Sequence, residues 1–337
     1  ITTNELQWFI LCIVFAIYIA MRFSLDEQLQ IFTWFISLVG VLSLMAVFLF
    51  PANGIHTAGT HSGLWRGIFI QKNHLSMFSA AGAVVVIMLG DKMGRWRYFF
   101  GAILVVLTFG ARSGTGILAM VAMFIVVPQL QVLRLRHQWM IGLVLILVPM
   151  ALAAAIILAG NFDALLGSVG KDATLTGRTE LWNASFVLIE ERTALGWGWR
   201  ASFAPSSPIH QMITWSAPFA HNHWIDMTLD VGMIGSFLYM VGLILFVLRA
   251  LVYAQNQGTK ESLFPLVFVI IIHIMVLSTQ ALMTLYDGLT IFYVSLTFGL
   301  AIQGTKLIKQ PYRMAFRREK YQEELEDPTK YIKRRYR

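Results

Sequence analysis

The sequence predicts an all-α polytopic membrane protein, on three observations. Hydrophobic residues make up 57% of the 337-residue chain and charged residues only 13%. Several apolar runs approach the roughly 20 residues that a helix needs to cross a bilayer. Runs such as Trp139 to Gly160 are continuously apolar, whereas a transmembrane barrel shows segments of roughly ten residues that alternate apolar and polar. The single cysteine, Cys12, lies inside one such run, which excludes an intrachain disulfide and a multi-cysteine metal site.

Nine spans follow in order, each an apolar run set off by a more polar connection. Trp8 to Phe23 and Ile31 to Phe50 come first, then the loop Pro51 to His74 and the span Leu75 to Gly90. Lys92, Arg95 and Arg97 separate this from Tyr98 to Gly110, which meets Thr115 to Pro128 through the short turn Ala111 to Gly114. These two runs are short, so one re-entrant hairpin is the alternative to two spans. Arg134 and Arg136 precede Trp139 to Gly160, and the long loop Asn161 to His223 leads to Met233 to Tyr253. Arg249 and Lys260 mark the connection to Leu263 to Gln280, and Ala281 to Gly288 leads to Leu289 to Gln303. The domain organisation expected is thus a transmembrane catalytic domain over 1–303, with its outer loop at about 161–223, and a basic tail over 304–337.

Lysine and arginine bias short loops towards the cytoplasm. The loops at 92–97, 134–136 and 249–260 and the tail after Gly304, with eleven basic residues, all fit strict alternation. Pro51 to His74, Ala111 to Gly114, Asn161 to His223 and Ala281 to Gly288 then share the extracytoplasmic side. The same alternation places Ile1 outside, an unusual start for a chain without initiating methionine or signal peptide, so further N-terminal spans are expected before it. The net charge of +8 is largely carried by the cytoplasmic loops and tail; it reads as an orientation signal with attraction to anionic membrane lipid, not as a nucleic-acid site. No internal repeat, low-complexity stretch or soluble domain is visible.

Ionisable groups are costly beside hydrocarbon, so those gathered at one membrane face point to a charged substrate or ion. Arg112 stands in the turn Ala111-Arg112-Ser113-Gly114. Arg178 lies in Gly177-Arg178-Thr179-Glu180-Leu181-Trp182, just before a helix expected from about Thr179 to Arg192, where backbone N–H groups and the dipole favour anions. One arginine serves as an anchor; two can grip a diphosphate, because guanidinium offers paired donors to phosphate oxygens. The plainer readings are a salt bridge to Glu180 or snorkelling for Arg178, and a helix-end charge for Arg112. Arg200, in Gly196-Trp197-Gly198-Trp199-Arg200, is a third candidate, although its tryptophans equally fit an interfacial aromatic belt.

His221 opens the sharpest pattern, His221-Asn222, nine further residues, then Gly232-Met233-Ile234-Gly235. A neutral imidazole accepts a proton near physiological pH and suits activation of a hydroxyl; Asp226 and Asp230 are near enough in sequence to orient it. A histidine at a helix mouth is equally read as structural. A metal site from His221, His223 and His210 or His74 is not favoured: residues two apart on a helix point about 200° apart, and no acidic cluster or HExxH pattern accompanies them. Gly232 and Gly235 read as allowing close helix packing. No Walker loop, dinucleotide fingerprint or serine-nucleophile elbow is evident, which argues against ATP-driven transport and serine hydrolysis.

His221-Asn222-x9-Gly232-x-x-Gly235, preceded by the Arg178 and Arg112 motifs, resembles the O-antigen ligase and polymerase superfamily, which includes bacterial exopolysaccharide polymerases, over about Arg66 to Gly235. The resemblance implies a glycosyltransferase C-type architecture and a metal-independent, cofactor-free, inverting enzyme of the bacterial inner membrane. Its active site would face the periplasm and its C-terminus the cytoplasm. Its donor would be a glycan on undecaprenyl diphosphate and its acceptor another glycan or lipid A-core, with other polysaccharide assembly proteins as partners. Arg112 and Arg178 match the family's diphosphate-binding arginines and His221 its catalytic histidine. Lys72, Asn73 and His74 match a less diagnostic substrate-binding region, to which Arg200 and Asn222 are added. Family members commonly have more than nine spans. The wording Thr174 to Thr179 inclines the reading towards a polymerase over a ligase. A secondary transporter is the alternative of another class, although its site is expected near the bilayer midplane rather than at one face; a non-catalytic subunit of a polysaccharide assembly machine is a third.

Overall fold

The computed structural model describes residues 2–57, 61–131, 175–215, 217–277 and 288–303. Nine longer helices order these residues: α1 Thr2–Arg22, α2 Leu25–Leu49, α3 Lys72–Leu89, α4 Trp96–Gly110, α5 Gly114–Leu130, α6 Leu175–Glu191, α7 His223–Gln257, α8 Phe264–Val276 and α9 Gly288–Gln303. Among the described residues the only β pairing is an isolated antiparallel bridge between Ile55 and Trp65. Eight of the helices, all but α6, coincide with expected spans, and the remaining expected span, Trp139 to Gly160, lies outside the described residues. Of the eight, α2, α3 and α7 are long and apolar enough to cross a membrane unaided; the others are shorter apolar helices. The chain is therefore all-α with the character of a polytopic membrane protein.

Local chemistry sets the ends. Ser24 and Glu27 form a capping box on α2, the Glu27 carboxylate accepting from Ser24 N–H at 2.7 Å. α7 ends on Gly258 in the left-handed conformation, which frees the chain to turn. α3 and α8 form the centre of the bundle. Small residues along Ser76 to Ala83 let neighbours approach closely, and a side chain at Gly82 would collide with Ile36 and Leu104. On the other flank Phe32 packs against Phe264, Phe268 and Phe292 with ring centroids 4.8–5.6 Å apart. Large side chains on α1, α2 and the 233–257 part of α7 face outward, including Phe15, Leu38, Phe237 and Leu245. Such an apolar exterior is what hydrocarbon surroundings require.

The two ends of the bundle are chemically distinct. At one end Asp91 pairs with Arg97 and, at 3.3 Å, with Lys260; Tyr253 reaches Asp26 and Gln303 accepts from Leu25 N–H. These contacts join the 22–26, 91–97 and 257–260 connections to the end of α9. At the other end Trp65 N–H donates to Gly110 O, and the Lys72 ammonium to Arg112 O at 3.4 Å. The loop preceding α3 and the α4–α5 turn therefore meet, as strict alternation requires. α4 packs on α2 and α3, whereas α5 lies against α3 and α8, so the two are separate helices rather than one tight hairpin.

α7 departs most from expectation. A straight helix would set residues 223 and 239 about 24 Å apart, yet the His223 and Tyr239 rings lie 5.6 Å apart, and the hydroxyls of Thr228 and Ser236 are 3.1 Å apart. The chain reverses at Gly232, whose φ of 66° and ψ of −173° belong to glycine. A Cβ there would come within 2.3 Å of Ala194 O. The freed backbone groups are taken up by the passing loop: Met233 and Ile234 donate to Thr193 and Ala194, while Trp197 and Gly198 donate to Leu229 and Asp230. Gly232 thus makes a helix reversal with a loop threaded across it, where close helix packing was expected.

Candidate functional site

The nine residues between Asn222 and Gly232 make about two and a half helical turns, enough to carry the His221–Asn222 pair back beside the bundle. Asn222 is the N-cap of the returning arm, its side-chain oxygen accepting from Trp224 N–H at 3.0 Å and Ile225 N–H at 3.4 Å. Its amide oxygen therefore has a structural task besides any contact with substrate. His221 precedes the cap in the left-handed region, φ 54°. The non-glycine residues with positive φ among those described are Arg112, Arg200 and His221. All three were singled out from the sequence, and strained backbone of this kind concentrates at functional sites.

The backbone beside His221 is pinned from two sides. Asp226, 3% exposed, accepts from Ala220 N–H at 2.7 Å, and the Trp182 indole donates to Ala220 O at 2.8 Å. Asp226, near enough in sequence to orient the imidazole, contacts instead the peptide before His221. Asp230 accepts from Arg200 N–H at 2.9 Å and so fixes a second of the three left-handed residues. Glu180 takes Thr214 N–H and Oγ1 at 2.7 and 3.0 Å. The motif around Arg178 thereby ties α6 to the 213–220 loop, and Leu181, Leu188, Ile209, Ile225 and Leu229 form a small apolar core beneath.

The His221 ring sits between aromatic side chains, with centroids 4.4 Å from Phe219 and 6.2 Å from Trp215. Its Nδ1 is buried and makes no hydrogen bond among the described residues. Burial first, and the nearby Arg178 charge second, push its pKa down to about 4. The imidazole is neutral at neutral pH and carries a free lone pair. α6 begins at Leu175, four residues before the expected start, so Arg178 stands one turn inside the helix rather than at its tip.

A second locality gathers at the mouth of α3. Besides its reach to Arg112 O, Lys72 donates its N–H to His56 Nε2 at 3.3 Å, and the His56 and His61 rings are 5.8 Å apart. Partial burial, then the charges of Arg66, His61 and Lys72, lower the His56 pKa. Asn73 and His74 follow in the same half-buried turn. The structure therefore brings Lys72 to Arg112, and Arg178 to His221. Among the described residues no hydrogen bond or ion pair links Arg112 with Arg178 or His221. The GWGWR tryptophans have specific partners: the Trp197 indole donates to Leu188 O beneath the Arg192 guanidinium, and Trp199 packs on Phe9 of α1.

Sequence reading missed a buried group where the returning arm meets the bundle. The Tyr239 hydroxyl lies 3.1 Å from His273 Nε2, Tyr293 is adjacent, and both ring nitrogens of His223 are buried without a hydrogen bond among the described residues. A lone histidine in the apolar run Phe264 to Val276 was the available signal. Among the described residues no three His, Cys, Asp or Glu side chains are grouped to hold a metal ion.

Residues 99–240 match the family described as O-antigen ligase, a segment that contains Arg112, Arg178, His221 and the Gly232 reversal. The chain is also 28% identical over 203 residues to the exopolysaccharide production protein ExoQ of Rhizobium meliloti (strain 1021), a match covering 55% of this chain and 46% of that protein. The chain thus spans less than half the length of that relative. Both comparisons support the O-antigen ligase and polymerase superfamily named from the motifs.

Proposed function

Within that superfamily, we propose that the protein is a periplasm-facing glycosyltransferase, moving a glycan from an undecaprenyl-diphosphate donor to an acceptor hydroxyl, and a polymerase of the exopolysaccharide type in preference to a lipid A-core ligase. The observation that carries this reading is His221: neutral, locked by its backbone, its Nδ1 without a hydrogen bond among the described residues, and within electrostatic reach of Arg178. The bond from sugar to diphosphate is already activated. The protein has to neutralise the departing anion, align the acceptor hydroxyl and remove its proton.

Arg178 and Arg112 would hold the diphosphate, with Lys72 beside Arg112 as a further cation, and His221 would take the acceptor proton. Displacement at the anomeric carbon inverts its configuration and needs no metal or further energy source. Arg178 also gives the donor a second effect. A bound diphosphate offsets the charge that helps hold the His221 pKa down, so the base strengthens when the leaving group is in place. The likeness to an exopolysaccharide production protein supports the polymerase reading.

The broken helix α7, whose His223 and half-buried Tyr239 meet His273 of α8 and Tyr293 of α9, favours a second reading, a secondary transporter, since discontinuous helices with polar groups at depth build transport sites. Reconstitution in vesicles with a defined lipid-diphosphate glycan, excess chelator, and lipid A-core present or absent separates these. A polymerase lengthens the glycan without lipid A-core, a ligase requires it, and glycan movement across the bilayer without any new linkage would sustain the transporter instead.

A further inference from the structure

Residues between Phe203 and Trp215, with Ala217 and Pro218, line an open cleft of about 490 Å3, among them Phe203, Pro205, His210, Thr214, Trp215 and Pro218. None of its lining residues carries a fixed charge. A smaller hollow shares the Phe203 and Pro218 walls and holds the ionisable groups Arg200, Asp226 and Asp230, so these are segregated from the cleft. The cleft is also firmly built. Glu180 fixes Thr214 with two hydrogen bonds, Ile213 and Ala217 are buried in the core below, and Trp182 and Asp226 hold Ala220 just beyond. Between these anchors Trp215 remains 36% exposed, 6.2 Å from the His221 ring.

A cleft without fixed charge and with an exposed indole suits a particular ligand chemistry. A pyranose has a face of polarised C–H bonds, which complements the electron-rich face of an indole, and a rim of hydroxyls for groups such as His210. An anionic diphosphate would find no counter-charge there. We propose that this cleft is a saccharide subsite in which a neutral sugar stacks on Trp215, beside His221. This rests on the glycan-transfer reading above, and the sugar comes either from the acceptor glycan or from the glycan of the donor.

The test uses the full protein in detergent with two probes: the lipid-linked oligosaccharide extracted from cells lacking this gene, and the free oligosaccharide released from it by mild acid. Wild type should bind radiolabelled free oligosaccharide saturably, and Trp215→Phe should stay within about threefold. Trp215→Ala and Trp215→Leu should each weaken it on the order of tenfold. The leucine variant keeps the apolar bulk, so it still reports if the alanine variant fails to fold. Wild-type affinity in a folded alanine or leucine variant, or no saturable binding by wild type, overturns the subsite. In transfer assays with both probes, a raised KM for the free oligosaccharide assigns the cleft to the acceptor, and one for the lipid-linked form assigns it to the donor glycan. If neither KM moves, the proposal is wrong. Should wild type bind sugar but transfer none, the enzyme reading fails and the subsite stands.

Discussion

Among the described residues, the hydrogen bonds that hold His221 act on its backbone neighbours. Its left-handed φ, the Asn222 cap after it and the doubly pinned Ala220 before it fix the backbone, while Nδ1 makes no hydrogen bond among the described residues. Because burial and then Arg178 lower its pKa to about 4, kcat/KM for the donor should be flat near neutral pH and fall only in the acid range, around that value. The acid limb of kcat should sit at higher pH, since the bound diphosphate offsets Arg178. Coincident limbs at an ordinary histidine value would contradict this electrostatic account. Asp226 accepts from the N–H of Ala220, next to His221. Removing its carboxylate in Asp226→Ala leaves a buried N–H unsatisfied, at a cost of about 1–3 kcal/mol, and should lower kcat on the order of 100-fold with the donor KM little changed. Asp226→Asn keeps an acceptor oxygen and should recover most of the rate. Equal loss in both variants would show that the carboxylate charge, rather than the hydrogen bond, is what matters.

Among the elements, the reversal in α7 does most to shape the site, and Gly232 carries it. Gly232→Ala asks a side chain to adopt a conformation that costs about 1–3 kcal/mol and places its Cβ 2.3 Å from Ala194 O. The expected outcome is a clear drop in the melting temperature of the detergent-solubilised protein; an unchanged melting temperature would contradict the reversal. The sequence showed most of the helices because long apolar runs announce themselves, and it singled out Arg112, Arg178 and His221 because charge is rare there. The reversal was not legible: apolar periodicity runs through Gly232, and backbone φ leaves no mark on composition. Nor were the pins, because Glu180 meets Thr214 and Trp182 meets Ala220 across 34 and 38 residues, contacts that no local pattern encodes.

In the whole molecule, both charge and contacts divide the two ends. Asp91, Arg97 and Lys260 cluster at one, while Lys72 and Arg112 meet at the other. If the positive loops face the cytoplasm, a cysteine at exposed Ser206 should react with a membrane-impermeant thiol reagent from the periplasmic side and one at exposed Asn256 should not, both in a Cys12→Ser background. Ser207, although next to it, is buried and would report poorly. The reverse labelling pattern would overturn the orientation while leaving the internal arrangement of helices intact.

The most direct test is to measure donor binding and glycan transfer side by side in folded His221→Ala, Arg178→Lys and Arg178→Ala proteins with a lipid-diphosphate glycan. A base removed at His221 should abolish transfer and leave donor binding near wild type. Arg178→Lys keeps charge but loses the two-pronged geometry, so it should impair turnover, and Arg178→Ala should weaken both donor binding and transfer further. Near-normal transfer by His221→Ala would contradict the central assignment.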